Sequence, residues 1–194
     1  IDLTEQCRVL CSTVGPYAHY GTAIVQACIE TYTDYCDITG ETQWIRDIIE
    51  QYHNVALERQ IRIVHACGYD SIPSDLGTYM IQKEMHARYG SYASEVRLLT
   101  GKTKGSMSGG TIASLVNVMH MAQDRSIARL LANPYSLSSD LPNSGADTRD
   151  QYTARYDPTF HLWSSPFIMA GINTRIVRRS HALQNLCYGQ DFSY

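Results

Sequence analysis

The 194-residue chain has no C-x-x-C pair, no H-x-x-x-H or H-E-x-x-H spacing and no G-x-S-x-G elbow. These absences count against a thiolate metal site, a zinc hydrolase and a serine hydrolase, and no metal is expected. Basic residues are not in surplus either: 16 Lys and Arg against 19 Asp and Glu give a net charge of −3. Nucleic acid is therefore excluded as a partner, because its recognition needs a basic face. The longest wholly apolar run, 167–172, is far too short to span a bilayer. No basic segment leading into an apolar one marks a secretory signal. The six cysteines are dispersed; Cys7 and Cys11 would lie about 13 Å apart along a strand, too far to bridge. They read as reduced, core-placed hydrophobes of a reducing compartment. What remains is an ordinary globular composition, 44% hydrophobic and 18% charged, with length for one good core or two small ones.

Three short apolar runs each close in a turn that opens a helix. The exits are Val14-Gly15-Pro16-Tyr17, then Asp37-Ile38-Thr39-Gly40-Glu41, then Gly68-Tyr69-Asp70-Ser71-Ile72-Pro73. Strands are expected at about 7–12, 35–38 and 61–67, with helices over 22–32, 43–59 and from Pro73 to a stop at Gly90. Alternation of this kind gives a parallel α/β sheet with right-handed crossovers, whose ligands sit outside the carboxyl ends of the strands. No strand with a glycine-rich phosphate loop precedes the first exit, so the chain reads as entering its fold partway.

Past Gly90 the pattern changes, which places a domain boundary there: 1–90 and 91–194. Partial alternation over 94–103 suggests a strand. An amphipathic helix is expected from Thr111 to Ala132, with Ile112, Leu115, Val116 and Met119 turned inward. Residues 141–151 read as a surface loop, and 167–172 and 174–177 as two strands. The second part is thus a mixed α+β domain.

Few motifs carry chemistry alone. Gly101-Lys102-Thr103 lacks the glycine a P-loop needs five residues earlier, where Val96 stands. Gly105 to Thr111 leads into a helix whose N–H groups can hold an anion or a carbonyl oxygen, or be capped by Ser108 or Thr111. Gly15 and Pro16 make a rigid turn through which backbone can approach a flat ring. Asp37, Glu41, Asp70 and Asp75 gather near the second and third exits, where acids bind ribose, orient an amine or cap helices. His65 lies in the third strand. Arg175, Arg178 and Arg179 form the one tight basic group.

Together these segments resemble the saccharopine dehydrogenase-like oxidoreductases, in particular the branch that includes trans-acting enoyl reductases. The resemblance rests on V-G-P-Y at 14–17, A-C-I-E at 27–30, D-I-T-G-E at 37–41, C-G-Y-D-S-I-P-S-D-L-G at 67–77 and S-G-G-T at 108–111, and extends through 166–180. It implies the carboxyl-side half of a Rossmann-type sheet followed by an α+β substrate or dimerisation domain. The implied cofactor is NADP or NAD, held mainly by an amino-terminal part and touched here by Val14, Gly15, Pro16, Tyr17, Asp37, Gly40, Gly68, Asp70 and Ser71. Tyr17, His65 and Tyr69 are the best-placed proton donors. Ser108, Gly109, Gly110, Thr111, Arg175 and Arg179 fall at the implied substrate site.

The implied activity is hydride transfer to an enoyl or carbonyl group of a lipid-like substrate. A saccharopine-type amino-acid dehydrogenase and a non-catalytic, lipid-associated scaffold are the alternatives. Recognising several carboxylates would need converging arginines, and strand alternation would split Arg178 from Arg175 and Arg179. Phe160, Leu162, Trp163, Phe167, Ile168 and Met169 offer instead a greasy cleft or a plain core. A cytoplasmic location, or one peripheral to an intracellular membrane or lipid surface, follows from the resemblance, as does a homodimer. Two departures are local: Tyr32 stands where a glycine commonly ends the helix, a substitution costing about 1 kcal/mol, and Asp34 stands where histidine is frequent.

Overall fold

The computed structural model describes residues 1–69, 71–101, 104–105, 109–138 and 145–194. A one-turn helix, α1 (Asp2–Glu5), precedes strand β1 (Val9–Ser12). Helix α2 (Tyr17–Glu30) crosses to β2 (Asp34–Asp37), and α3 (Thr42–Glu58) crosses to β3 (Ile63–Val64). The three strands are parallel in the order β1-β2-β3, with Cys11 opposite Cys36 and Tyr35 opposite Ile63. The expected α/β sheet is therefore present, although β3 is shorter than the apolar run that marks it. Its ladder stops because Ala66 turns to φ 57° and gives its N–H to the Asp37 side chain at 3.0 Å.

Strand alternation divides the sheet into two faces. Tyr35 and Asp37 are buried, whereas Val9, Cys11 and Val64 on the opposite face are exposed. Helix α3 buries the stripe Trp44, Ile45, Ile48, Ile49 and Ala56 at helical spacing, and α2 contributes Val25, Cys28 and Ile29 to the core. Tyr32 does adopt the left-handed conformation, at φ 57°. Arg59 supports that turn: its guanidinium lies 5.1 Å from the Tyr32 ring centre and donates to the Ile29 carbonyl at 2.7 Å. All six cysteines are free thiols, and burial pushes Cys28 up to about 11.

The chain gathers into two compact units, residues 1–69 with 106–131, and 70–105 with 132–194. Compactness thus groups residues differently from the sequence division at Gly90. Helix α4 (Ile72–Tyr89) lies in the second unit and α5 (Gly109–Met121) in the first. The Gly90 stop is as expected, a left-handed C-cap at φ 70°.

Three sequence expectations are corrected. The long helix over 111–132 is two, α5 and α6 (Arg125–Ala132). The break is made by Asp124, whose Oδ1 accepts the Ser126 N–H at 2.6 Å and caps α6. Ile112, Leu115, Val116 and Met119 are exposed rather than inward. Helix α5 is apolar on several sides, so its stripe could not select a face. Hydrogen bonds from its Ser114 and to its Met121 sulfur anchor it instead.

Residues 94–101, the described part of the expected 94–103 strand, hold only an isolated bridge, Glu95 to Ser193. The buried Gln82 side chain takes both backbone groups of Ala93 at 2.8 Å and so fixes the approach. Finally, 170–183 is a helix, α7 (Ala170–Leu183), not two strands. Its β-branched residues favour a strand, but packing against α4 decides. Ile172, Arg175, Val177, Arg178 and His181 form its buried side. A small antiparallel pair, β4 (Arg155–Asp157) and β5 (Leu162–Ser164), completes the second unit, whose core centres on Val96, Val177, Tyr188 and Phe192.

Candidate functional site

The carboxyl edge of β1-β2-β3 is organised by a residue that composition alone does not single out. Glu41, in the turn after β2, is fully buried. Its Oε1 accepts the Tyr17 N–H at 2.8 Å and the Ser114 hydroxyl at 2.9 Å, and its Oε2 accepts the Ala18 N–H at 3.1 Å. The free amides that open α2 are thereby satisfied by a carboxylate of the chain itself, which also suits the positive end of that helix. The same carboxylate ties α5 to the first exit. A Cβ at Gly15 would stand 3.2 Å from Ser114 Oγ, so a larger residue would press on this junction. Sequence reading placed Glu41 among the acids near the exits; its contact with Ser114, 73 residues on, had no signal.

The expected cofactor residues separate into exposed and interior groups. Val14 is 54% exposed, and Gly15 and Pro16 are half-buried behind a cis Gly15–Pro16 peptide. Gly40 is exposed. Ile38, 48% exposed, lies beside Gly68, where a Cβ would approach the Ile38 Cβ to 3.2 Å. Asp37 faces the interior: its Oδ1 accepts the Thr39 and Ala66 N–H groups at 3.1 and 3.0 Å, and its Oδ2 lies 2.7 Å from His65 Nδ1. Asp37 is fully buried and presents no oxygen at the surface for a ribose. Ser71, in the second unit, is buried and donates to Asn173 Oδ1 at 2.8 Å. Asp70 lies outside the described residues.

Among the proton-donor candidates, Tyr69 alone has an open hydroxyl-bearing ring, at 86% exposure. Tyr17 is buried and donates to the Ser12 carbonyl at 3.0 Å; burial, with the nearby Asp37 carboxylate adding to it, pushes its phenol up to about 12. His65 is held by Asp37, with its ring edge-on to Trp44 at 5.1 Å; its buried Nε2 has no hydrogen-bond partner among the described residues.

Of the substrate candidates, Gly109, Gly110 and Thr111 form the exposed first turn of α5, in the same unit as the strand exits. Ser108 lies outside the described residues, as do Lys102 and Thr103. Arg175 and Arg179 belong to the second unit. Because the segment is helical, Arg175, Arg178 and Arg179 share a side, so the alternation argument does not hold. Each is nonetheless engaged within its own unit. Arg175 pairs with Asp150 at 2.9 Å, Arg178 with Asp147 at 2.9 Å, and Arg179 donates to the Leu137 carbonyl at 2.5 Å. Phe160, Leu162, Trp163, Phe167 and Ile168 are exposed, which removes the plain-core reading for them.

These facts decide what the edge can hold. Val14, Ile38 and Tyr69 offer exposed apolar surface at successive exits, with side-chain-free Gly68 between the last two. No Lys or Arg stands in the described turns, and the α2 amides are already taken. Such a surface can take a flat apolar ring, whereas the described turns offer a pyrophosphate neither a cation nor a free α2 amide. Among the described residues, no group of three or more His, Cys, Asp and Glu is placed to hold a metal ion. Nor is any helix long and apolar enough to cross a membrane.

Comparison with known proteins gives a consistent set of relatives. A Mycobacterium tuberculosis protein named as a candidate trans-acting enoyl reductase, Rv2449c, is 40% identical over 199 residues, covering 99% of this chain and 48% of that protein. The trans-acting enoyl reductase of Mycobacterium bovis BCG is 37% identical, and that of Mycobacterium leprae 36%, each with the same coverage. The chain spans about half the length of the curated relatives it matches. No family model matches it, and no solved structure does.

Proposed function

Because the chain is homologous to the trans-acting enoyl reductases along its whole length, we propose that it is part of a nicotinamide-dependent enoyl reductase acting on a lipid-like acyl chain. The observation that carries this reading is the 40% identity over 99% of the chain. The open carboxyl edge of the parallel sheet supports it, since ligands of such sheets lie there. When bound, NADPH or NADH supplies the hydride. Val14, Gly15, Ile38 and Gly68 would hold the nicotinamide ring. Glu41 and Ser114 hold the first turn of α5 in register with those residues, so that Gly109, Gly110 and Thr111 meet the substrate head. Tyr69, whose ring is open to solvent, delivers the proton that completes the reduction. The exposed Ile112, Leu115, Val116 and Met119 of α5 favour an apolar substrate over a polyanionic one, and Arg175, Arg178 and Arg179 are spent on structure.

The test is NADPH and NADH consumption with an α,β-unsaturated acyl thioester, comparing this chain with the full-length Mycobacterium bovis relative. Saturable, substrate-dependent consumption by the relative, lost on replacing its counterpart of Tyr69 with Phe, is the expected result. Tight dinucleotide binding by this chain alone would contradict the division of the cofactor site. Turnover by the relative of an amino-acid substrate and not of the enoyl thioester would overturn the reading.

A further inference from the structure

Within the second unit, helices α4 and α7 do not close completely on each other. They leave a cavity of about 220 Å³, lined by Asp75, Thr78 and Tyr79 of α4 and by Val177, Ser180 and Tyr188 on the other side. Ligand pockets for drug-sized molecules start near 300 Å³, so this one suits a smaller ligand. Its lining is chemically one-sided. Asp75 is the single carboxylate, and no Lys, Arg or His lines the space to balance it.

The carboxylate is also underused. Its Oδ2 accepts the Ser180 hydroxyl at 3.0 Å, whereas its Oδ1 takes no hydrogen bond among the described residues. An ionised carboxylate accepts up to about four hydrogen bonds. Burial raises the proton affinity of Asp75 above the usual carboxylate range, and the Ser180 bond offsets this only in part. The lining also includes two tyrosines, Tyr79 and Tyr188, and Val177. A carboxylate with spare acceptor capacity beside aromatic faces is the combination that an organic cation satisfies. Its N–H groups complete the acid, and its hydrocarbon part packs on the aromatic lining.

We propose that the cavity between α4 and α7 binds a small primary amine with an apolar body, its ammonium group on Asp75 and its hydrocarbon part against Tyr79, Val177 and Tyr188. This site is independent of the nicotinamide edge and does not rest on the reductase reading. Ser180 holds the acid in place, and its own oxygen remains available as an acceptor for a second N–H of the ligand.

The experiment titrates benzylamine, and separately the neutral isostere benzyl alcohol, into this chain by isothermal calorimetry and by shift of the melting temperature. Benzylamine is expected to saturate with a Kd on the order of 1 mM, as its few heavy atoms allow, and benzyl alcohol to bind at least tenfold more weakly. Asp75→Asn, which keeps the shape and the Ser180 contact, should weaken benzylamine at least tenfold. Leu76→Trp, which crowds the space from its exposed rim while leaving the acid, should do the same; a melting curve checks that both variants fold. Equal binding of the amine and the alcohol, unchanged binding by folded Asp75→Asn, or no saturable binding would each overturn the proposal.

Discussion

The Glu41 carboxylate oxygen lies 2.8 Å from the Tyr17 backbone nitrogen, and through it the second strand exit caps the helix that leaves the first. Charge-assisted bonds of this kind each contribute about 1.5–3 kcal/mol, and buried donors left unpaired cost about as much. Glu41→Gln leaves one carbonyl oxygen for three donors and should destabilise the fold by about 2 kcal/mol; Glu41→Ala should cost more. Ser114→Ala removes one neutral donor and should cost about 1 kcal/mol. Urea denaturation of the three variants reads the order directly. An unchanged midpoint for Glu41→Gln would show that the carboxylate is not the cap.

The same substitution should have opposite signs in two helices. At Gly21 of α2, an added Cβ would lie 2.5 Å from the Trp44 ring. That ring cannot swing away easily, because its Nε1 donates to Thr22 Oγ1 at 3.0 Å and it packs on Tyr17 at 5.5 Å. At Gly77 of α4, a Cβ would meet nothing within 4 Å. Gly77→Ala should therefore stabilise by about 0.5–1 kcal/mol, from helix propensity and a less disordered unfolded chain. Gly21→Ala gains the same propensity but should lose about 1–3 kcal/mol to overpacking. Thermal melts of both variants test the pair, and a rise for Gly21→Ala would place the Trp44 ring elsewhere.

How much of this was legible in the sequence follows from the range of the interactions involved. The three exits, the α3 stripe and the Gly90 cap are local patterns, and the sheet order follows from them through crossover geometry. Helix α7 was misread because Ile172, Thr174, Ile176 and Val177 carry strand propensity, while the helix is fixed by contacts distant in sequence. Arg178 with Asp147 and Ser180 with Asp75 lie 31 and 105 residues apart. The same limit applied at the candidate site. Val14, Gly15, Gly68 and Tyr69 stand at the carboxyl edge because turns are written locally. Whether Asp37 or Glu41 faced outward depended on partners such as His65 and Ser114, which no spacing rule brings to them.

Arg178 should be the most sensitive single position of the second unit. Its buried guanidinium pairs with Asp147 at 2.9 Å, donates to the Pro134 and Tyr194 carbonyls at 3.2 and 3.0 Å, and lies 5.4 Å from the Tyr135 ring centre. Asp147 in turn accepts the Ser193 hydroxyl at 2.7 Å and the Tyr194 N–H at 3.1 Å. Removing one partner of such a network costs about 3–5 kcal/mol. Arg178→Met should lose that much, and Arg178→Lys nearly as much, because an ammonium cannot span the same acceptors. Chemical denaturation checks this. A loss below 1 kcal/mol in Arg178→Met would mean that the pairs contribute little.

The pH dependence of the second unit should carry the mark of His181. Its ring stacks on Tyr188 at 5.0 Å and donates from Nε2 to the Gly189 carbonyl at 3.1 Å. Burial holds its pKa below the ordinary value of 6.5, against a smaller opposing effect of that hydrogen bond. Below pH 6.5 the unfolded chain therefore takes up a proton that the native ring resists, so the unfolded state binds more protons and stability falls with acidification. Between about pH 6.5 and the depressed native value, the melting temperature should drop more steeply in the wild type than in His181→Phe, which keeps the stack and cannot titrate. Carboxylates contribute equally to both proteins in that interval, so the difference between the two curves isolates the histidine. Parallel curves would show that His181 is protonated as readily in the folded chain as in the unfolded one.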